Sequence, residues 1–182
     1  MKYELPYTID NGLGEKIVFK EILHEPDGDR LLTQGTCKPG GGPVMHVHYH
    51  QDESFKVIKG SLSYQLPGQD PVHLSEGQSV TVLRNIPHRF WNDGKDELII
   101  EGWIKPAHNV IFFLSTLYQA QKNAGSHRPE IFDAAYLTIR YKNENGNLEI
   151  PGFVKNVILP VVYRVGKILG RYKKFKDAPS PL

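Results

Sequence analysis

In the segment Met45-His46-Val47-His48-Tyr49-His50-Gln51-Asp52-Glu53, two imidazoles two residues apart are followed by a pair of carboxylates. If this stretch is extended, His46 and His48 project from the same face, because side chains along a strand repeat with period two. An antiparallel return through a short turn brings Glu53 back beside them. His88, in Pro87-His88-Arg89-Phe90-Trp91-Asn92, offers a third imidazole from another strand. Imidazole nitrogens and a carboxylate oxygen together suit a divalent transition ion, and donor type alone leaves Fe, Mn, Ni and Zn open. A histidine in a strand is more often a surface group or a hydrogen-bonded core group, so His-x-His alone carries little weight. The same pair with Glu53 at hairpin distance carries considerably more.

Around these residues the pattern is less specific. His50 continues the parity of His46 and His48, and is expected in the turn, exposed. Phe55 and Val57 share parity with Glu53, and Phe90 and Asn92 with His88, so all four are placed to line a pocket or to fill a core. Tyr64 and Arg84 are candidates to contact a polar ligand. His24, His73, His108 and His127 have no spacing that singles them out, and no general acid or base outside the possible ligand set is identified. The single cysteine, Cys37, cannot form an intrachain disulfide and reads as a small buried hydrophobe rather than a nucleophile.

The elements that must hold these groups are short strands broken by turn residues. Strand signals cover 16–23, 30–37, 44–48, 54–59, 61–66, 72–74, 79–83, 89–91 and 98–104. Glu25-Pro26-Asp27-Gly28-Asp29, Lys38-Pro39-Gly40-Gly41-Gly42-Pro43 and Pro67-Gly68-Gln69-Asp70 punctuate the series. With no helical period between them, these strands predict an antiparallel sandwich or barrel.

In its motifs the sequence resembles the cupin superfamily of small β-barrels. The first cupin motif, G-x5-H-x-H-x3,4-E-x6-G, is met at every fixed position by Gly40, His46, His48, Glu53 and Gly60. The second, G-x5-P-x-G-x2-H-x3-N, is met by Gly77, His88 and Asn92. Leu83 stands at its proline and Asn85 at its second glycine, where asparagine tolerates a left-handed turn. The resemblance covers roughly residues 15–105. It implies an antiparallel cupin β-barrel (double-stranded β-helix, or jelly roll) with one divalent transition ion held by His46, His48, Glu53 and His88. It further implies a metal-dependent enzyme, oxygenase-like or an isomerase, acting on a small organic molecule. The alternatives are a non-catalytic small-molecule-binding module and a peripheral membrane-associated binding protein. The superfamily hosts many reactions, so its fold does not select one.

Beyond Lys105-Pro106 the pattern turns helical, which divides the chain into a barrel, 1–106, and a C-terminal helical extension, 107–182. Helices are predicted over 109–123, 129–140 and 151–170, with Pro160 expected to kink or split the last. Asn143–Asn147 reads as a turn and 178–182 as a frayed tail. Val154, Val157, Ile158, Val161, Val162, Val165, Ile168 and Leu169 form one apolar stripe. Residues 151–182 carry seven Lys or Arg and one acid, a net +6, so residues 1–150 carry −4 of the overall +2. The stripe is expected to pack on the barrel or on a dimer partner, with the basic end solvated, rather than to lie on a membrane.

Hydrophobic residues at 40% and charged residues at 23% exclude wholesale disorder. The nearly balanced charge argues against nucleic acid as a partner. Met1–Pro6 has no apolar leader and no membrane-length apolar run follows, so a cytoplasmic protein is expected. A homodimer is expected because open sheets leave unpaired edges.

Overall fold

The computed structural model describes residues 3–182. Eleven strands occur among them: β1 (Tyr7–Asp10), β2 (Glu15–Leu23), β3 (Arg30–Cys37), β4 (His46–His48), β5 (Asp52–Lys59), β6 (Ser61–Gln65), β7 (Val72–Ser75), β8 (Ser79–Val82), β9 (Arg89–Asn92), β10 (Leu98–Lys105) and β11 (Asn145–Asn147). All pair antiparallel. One sheet runs β1-β2-β3-β10-β5-β8. The other contains β7-β6-β9 and, joined to it by the His46–His88 bridge, β4-β11.

This is the jelly-roll architecture that the motif resemblance implies, within the antiparallel class that the strand signals predict. β10 sits at the centre of the larger sheet, with Gly102 opposite Thr33 on one side and Phe55 on the other. A side chain at Gly102 would strike the Ser54 carbonyl, so glycine lets the strands close there. Asn85 adopts φ 66°, the left-handed conformation for which asparagine is suited, and its N–H donates to the His48 carbonyl at 2.7 Å. The turn before His88 is therefore made without the glycine of the motif.

Two apolar clusters fill the barrel. Cys37, Phe55, Val57, Leu62, Leu74, Phe90, Leu98 and Ile100 occupy one end, with the Phe55 and Phe90 rings 4.6 Å apart. Ile9, Phe19, Leu31 and Ile104 occupy the other, which α1 (Val110–Ala124) covers with Val110, Ile111 and Tyr118. Gln51 ties that cover down, donating from Nε2 to the carbonyls of Pro106 and Ala107 at 3.0 Å each. Each fully buried aliphatic side chain contributes about 1.5–3 kcal/mol.

The C-terminal third departs from expectation in three places. Asn145–Asn147 is not a free turn: it forms β11 and extends the smaller sheet along β4. The residues from 178 onward are docked rather than frayed. The Tyr141 hydroxyl donates to the Pro179 carbonyl at 2.8 Å, Asn109 Nδ2 to the Ser180 carbonyl at 2.9 Å, and the Leu182 N–H to Glu144 at 3.0 Å.

The third departure is the apolar stripe. Pro160 cannot supply an N–H, and the segment accommodates it with a π-helical turn, Val154–Ile158, that passes into α3 (Leu159–Ile168) with Pro160 in its first turn. Leu159 and Gly166 are buried, and Tyr163 joins Tyr136 of α2 (Ile131–Arg140), Tyr172 and Phe175 in an aromatic cluster. Phe153, Val157, Ile158, Val161, Val165, Ile168 and Leu169 are exposed. The stripe read as a packing face thus lies largely on the outer side, because the helix turns its Leu159–Tyr163–Gly166 side to α2. Among the described residues no helix is long and apolar enough to cross a membrane.

Candidate metal centre

β4 carries His46 and His48, β5 starts with Asp52-Glu53, and His88 immediately precedes β9. The β4–β5 turn is short, so Glu53 returns beside the histidine pair. The His46–His88 bridge, with N–H to carbonyl distances of 2.9 and 2.8 Å, fixes the third imidazole against the first. The structure therefore brings His46, His48, Glu53 and His88 together, with one possible donor atom from each all within 4.8 Å of one another.

Each ring is oriented by its far nitrogen. His46 Nδ1 donates to the Val44 carbonyl at 2.9 Å, His88 Nδ1 to the Ile86 carbonyl at 2.9 Å, and His48 Nδ1 to Asn145 Oδ1 at 2.8 Å. With the proton held on Nδ1, each neutral imidazole turns an Nε2 lone pair inward. The three Nε2 atoms face the same Glu53 oxygen: at 3.7 Å from His46, at 3.4 Å from His48, and in close contact from His88. Glu53 Oε1 and His88 Nε2 are buried without a partner in hydrogen-bond geometry.

Converging lone pairs around a buried carboxylate require positive charge among them. Burial opposes ionisation of Glu53, but the facing His48 and the contacts from all three imidazoles hold its carboxyl well below the usual range. Burial likewise opposes charge on His48, yet Glu53 and Asn145 outweigh it and push its pKa up. For His46 burial wins and the pKa falls. The donor set, its ring orientation and its two orphaned atoms fit a divalent transition ion.

The other predicted residues are placed as follows. His50 is exposed, as expected of a turn position. Phe55, Val57 and Phe90 fill the barrel end, where Tyr64 packs against them. Asn92 is structural: its Nδ2 donates to the Cys37 and Asp96 carbonyls and its Oδ1 accepts from the Gly94 N–H. Arg84 is committed to Asp52 through a two-pronged pair at 2.7 and 3.0 Å, which ties the loop before His88 to the start of β5. Cys37 is buried and its thiol is pushed up to about 12, by burial first and then by nearby Glu15 and Glu97, which leaves it unreactive. Asn145, whose Oδ1 accepts from His48 Nδ1, is the side chain at the cluster that sequence reading did not single out. Its signal was the asparagine run 143–147, which also spells a turn.

Of the four clustered side chains His46 is the most exposed, at 20%. A cleft of about 350 Å³ is lined by Gly40, Gly42, Pro43, Val44, Arg89, Phe90, Trp91 and Glu149, and none of the four clustered side chains lines it.

Comparison with known proteins agrees with this architecture. Residues 35–103 match the family model of the cupin domain, a span that includes both motifs. Residues 35–103 of the barrel are thus similar to a cupin domain. The chain is similar to the oxidoreductase iacF of Pestalotiopsis fici, 27% identical over 114 residues that cover 57% of this chain and 56% of the relative. It is also similar to a protein of Hypocrea virens named "Probable oxidoreductase virH", 26% identical over 95 residues that cover 47% and 43% of the two chains. The match thus spans about half the length of these curated relatives. Among solved structures, KdgF from Halomonas sp. superposes with a TM-score of 0.45 at 20% identity, over 54% of this chain and 85% of that chain.

Proposed function

We propose that this cupin is a metal-dependent oxidoreductase acting on a small organic molecule, with one divalent ion (Fe, Mn, Ni or Zn) held by His46, His48, Glu53 and His88. The observation that carries the reading is the pattern of outer hydrogen bonds. Three imidazoles are each fixed through Nδ1 by a different acceptor, so that all three Nε2 atoms meet at one carboxylate. The names of the two similar oxidoreductases support the reaction class.

An ion held by these four residues would supply Lewis acidity and, for Fe or Mn, access to redox chemistry. The chain's own contribution is positional. Val44, Ile86 and Asn145 hold the rings in one tautomer, and Glu53 stays ionised because the imidazoles face it. The apolar end built on Phe55 and Phe90 keeps bulk water from that side of the site. His46, the most exposed of the four, marks the side from which a substrate would approach.

The test is elemental analysis of protein purified without chelator, followed by oxygen consumption against a panel of phenolic and keto-acid compounds. Stoichiometric metal with turnover is expected. Stoichiometric metal with binding but no turnover would make the protein a non-catalytic ligand-binding cupin. No stoichiometric metal after reconstitution with each of the four ions would remove the ligand assignment.

A further inference from the structure

We propose that the outer face of the C-terminal helix docks on an anionic bilayer surface, with the apolar side chains in the headgroup boundary and the flanking basic residues on the phosphates. The inner side of the segment is already anchored, through Leu159, Tyr163 and Gly166 against α2 and its aromatic neighbours. The outer side presents Phe153, Val157, Val161, Val165, Ile168 and Leu169 to solvent, with Ile168 at 84% exposure and Phe153 at 68%. Scattered exposed aliphatics are ordinary, but a continuous row of them on one helix marks an interaction surface.

Charge selects the occupant. Arg164 and Lys167 are exposed beside the row, and Arg171 and Lys173 follow it. Residues 151–182 carry +6 against −4 for the rest of the chain. A two-fold pairing of this face with a second copy would set the same basic residues against one another, because an isologous contact brings like patches together. Seating it on the acidic remainder of another copy would be a heterologous contact, which propagates unless it closes into a ring. An anionic lipid surface meets both features at once: the apolar row is buried and each flanking cation is attracted. The row spans about 25 Å at 1.5 Å per residue, a length suited to lying in the interface and interrupted by charges that preclude spanning.

The full-length protein is sedimented with vesicles of phosphatidylcholine alone and of phosphatidylcholine mixed with phosphatidylglycerol, at low and at physiological salt. Binding is expected to the mixed vesicles, weakening as salt rises. Val161→Asp with Ile168→Asp, and separately Arg164→Glu with Lys167→Glu, are each expected to reduce partitioning by about tenfold or more while leaving the melting temperature unchanged. Failure of the wild-type chain to sediment with the mixed vesicles overturns the proposal, as does equal binding to phosphatidylcholine alone. Light scattering that finds a dimer which the Val161→Asp, Ile168→Asp variant converts to monomer also overturns it, and assigns the face to a second copy. The readout is independent of metal content and turnover, so its outcome is separable from that of the enzymatic reading.

Discussion

The histidine cluster and the outer face of the C-terminal helix are both regular patterns of one residue class, yet the molecule treats them in opposite ways. In the barrel, polar groups are taken out of water and almost every one is given a partner from the scaffold, down to the Nδ1 atom of each ring. Within the cluster, what is left unpaired is Glu53 Oε1 and the facing His88 Nε2. On the helix, apolar groups are left in water along a whole row while the opposite side of the same element is packed. Spacing alone marks a set of residues as acting together. Burial separates what the two sets are proposed to act on: a small positive charge in the first case, an extended low-dielectric surface in the second.

The largest effect should come from breaking the cluster itself. His88→Ala removes the most buried of the three imidazoles and is expected to weaken divalent-metal binding by more than about a hundredfold, since loss of an outer hydrogen-bond partner alone costs 10–100-fold. Calorimetric titration of metal-free protein checks this. On the packed side of α3, Leu159→Ala should cost about 2–5 kcal/mol of unfolding free energy, measured by denaturant titration. It should leave metal affinity unchanged, which separates the two regions energetically.

Asn145→Ala tests the side-chain contact that joins the C-terminal third to the cluster. The His48 ring would keep its place on β4 but lose the acceptor that fixes its tautomer. A drop of about 10–100-fold in metal affinity is expected, with Asn145→Asp restoring most of it because the carboxylate still accepts from Nδ1. A variant with wild-type affinity would show that β4 alone orients the ring.

How much of this could be read from residues alone follows from the same contrast. His46, His48, Glu53 and His88 were legible because side-chain type and period-two spacing both point at them. Val44 and Ile86 were not, since they act through backbone carbonyls that any residue would supply. Asn145 was hidden for another reason: an asparagine-rich run spells a turn equally well, and only long-range pairing with β4 makes it a strand. β1 is four residues long, too short for alternation to stand out. The apolar stripe was seen, but its periodicity could not say which side of the helix would find a neighbour, because β-branched residues suit either environment.

A smaller effect is expected from the latch at the rim. The hydrogen bonds from Arg84 lower the Asp52 carboxyl below its ordinary value, outweighing the opposing cost of burial. A depressed folded-state pKa means that the unfolded chain takes up the proton first. The pair's contribution is therefore complete above the unfolded value near 3.9 and is lost as pH falls through the lower folded one. Asp52→Asn should flatten this acid limb of the stability curve by at most about 1 kcal/mol, as the arginine is half in solvent. Urea denaturation at neutral pH and below pH 4 measures the difference.

The smallest expected effect sharpens the comparison most. Ile168 and Leu159 lie on the same helix, yet one is 84% exposed and the other 5%. An exposed side chain contributes nothing to burial on folding, so Ile168→Ala should change unfolding free energy by no more than about 0.5 kcal/mol. Helix propensity even favours alanine slightly over β-branched isoleucine at an exposed position. The outcome depends on the protein being measured without lipid and at low micromolar concentration, where a weak second-copy contact would be dissociated. If Ile168→Ala instead lowered the melting temperature in a concentration-dependent way, its side chain would be buried against another chain. If the loss were independent of concentration, the side chain would be buried within the chain itself. A null effect in lipid-free buffer, next to a several-kcal/mol loss for Leu159→Ala, would establish that the helix is folded by one side and leaves the other available for docking.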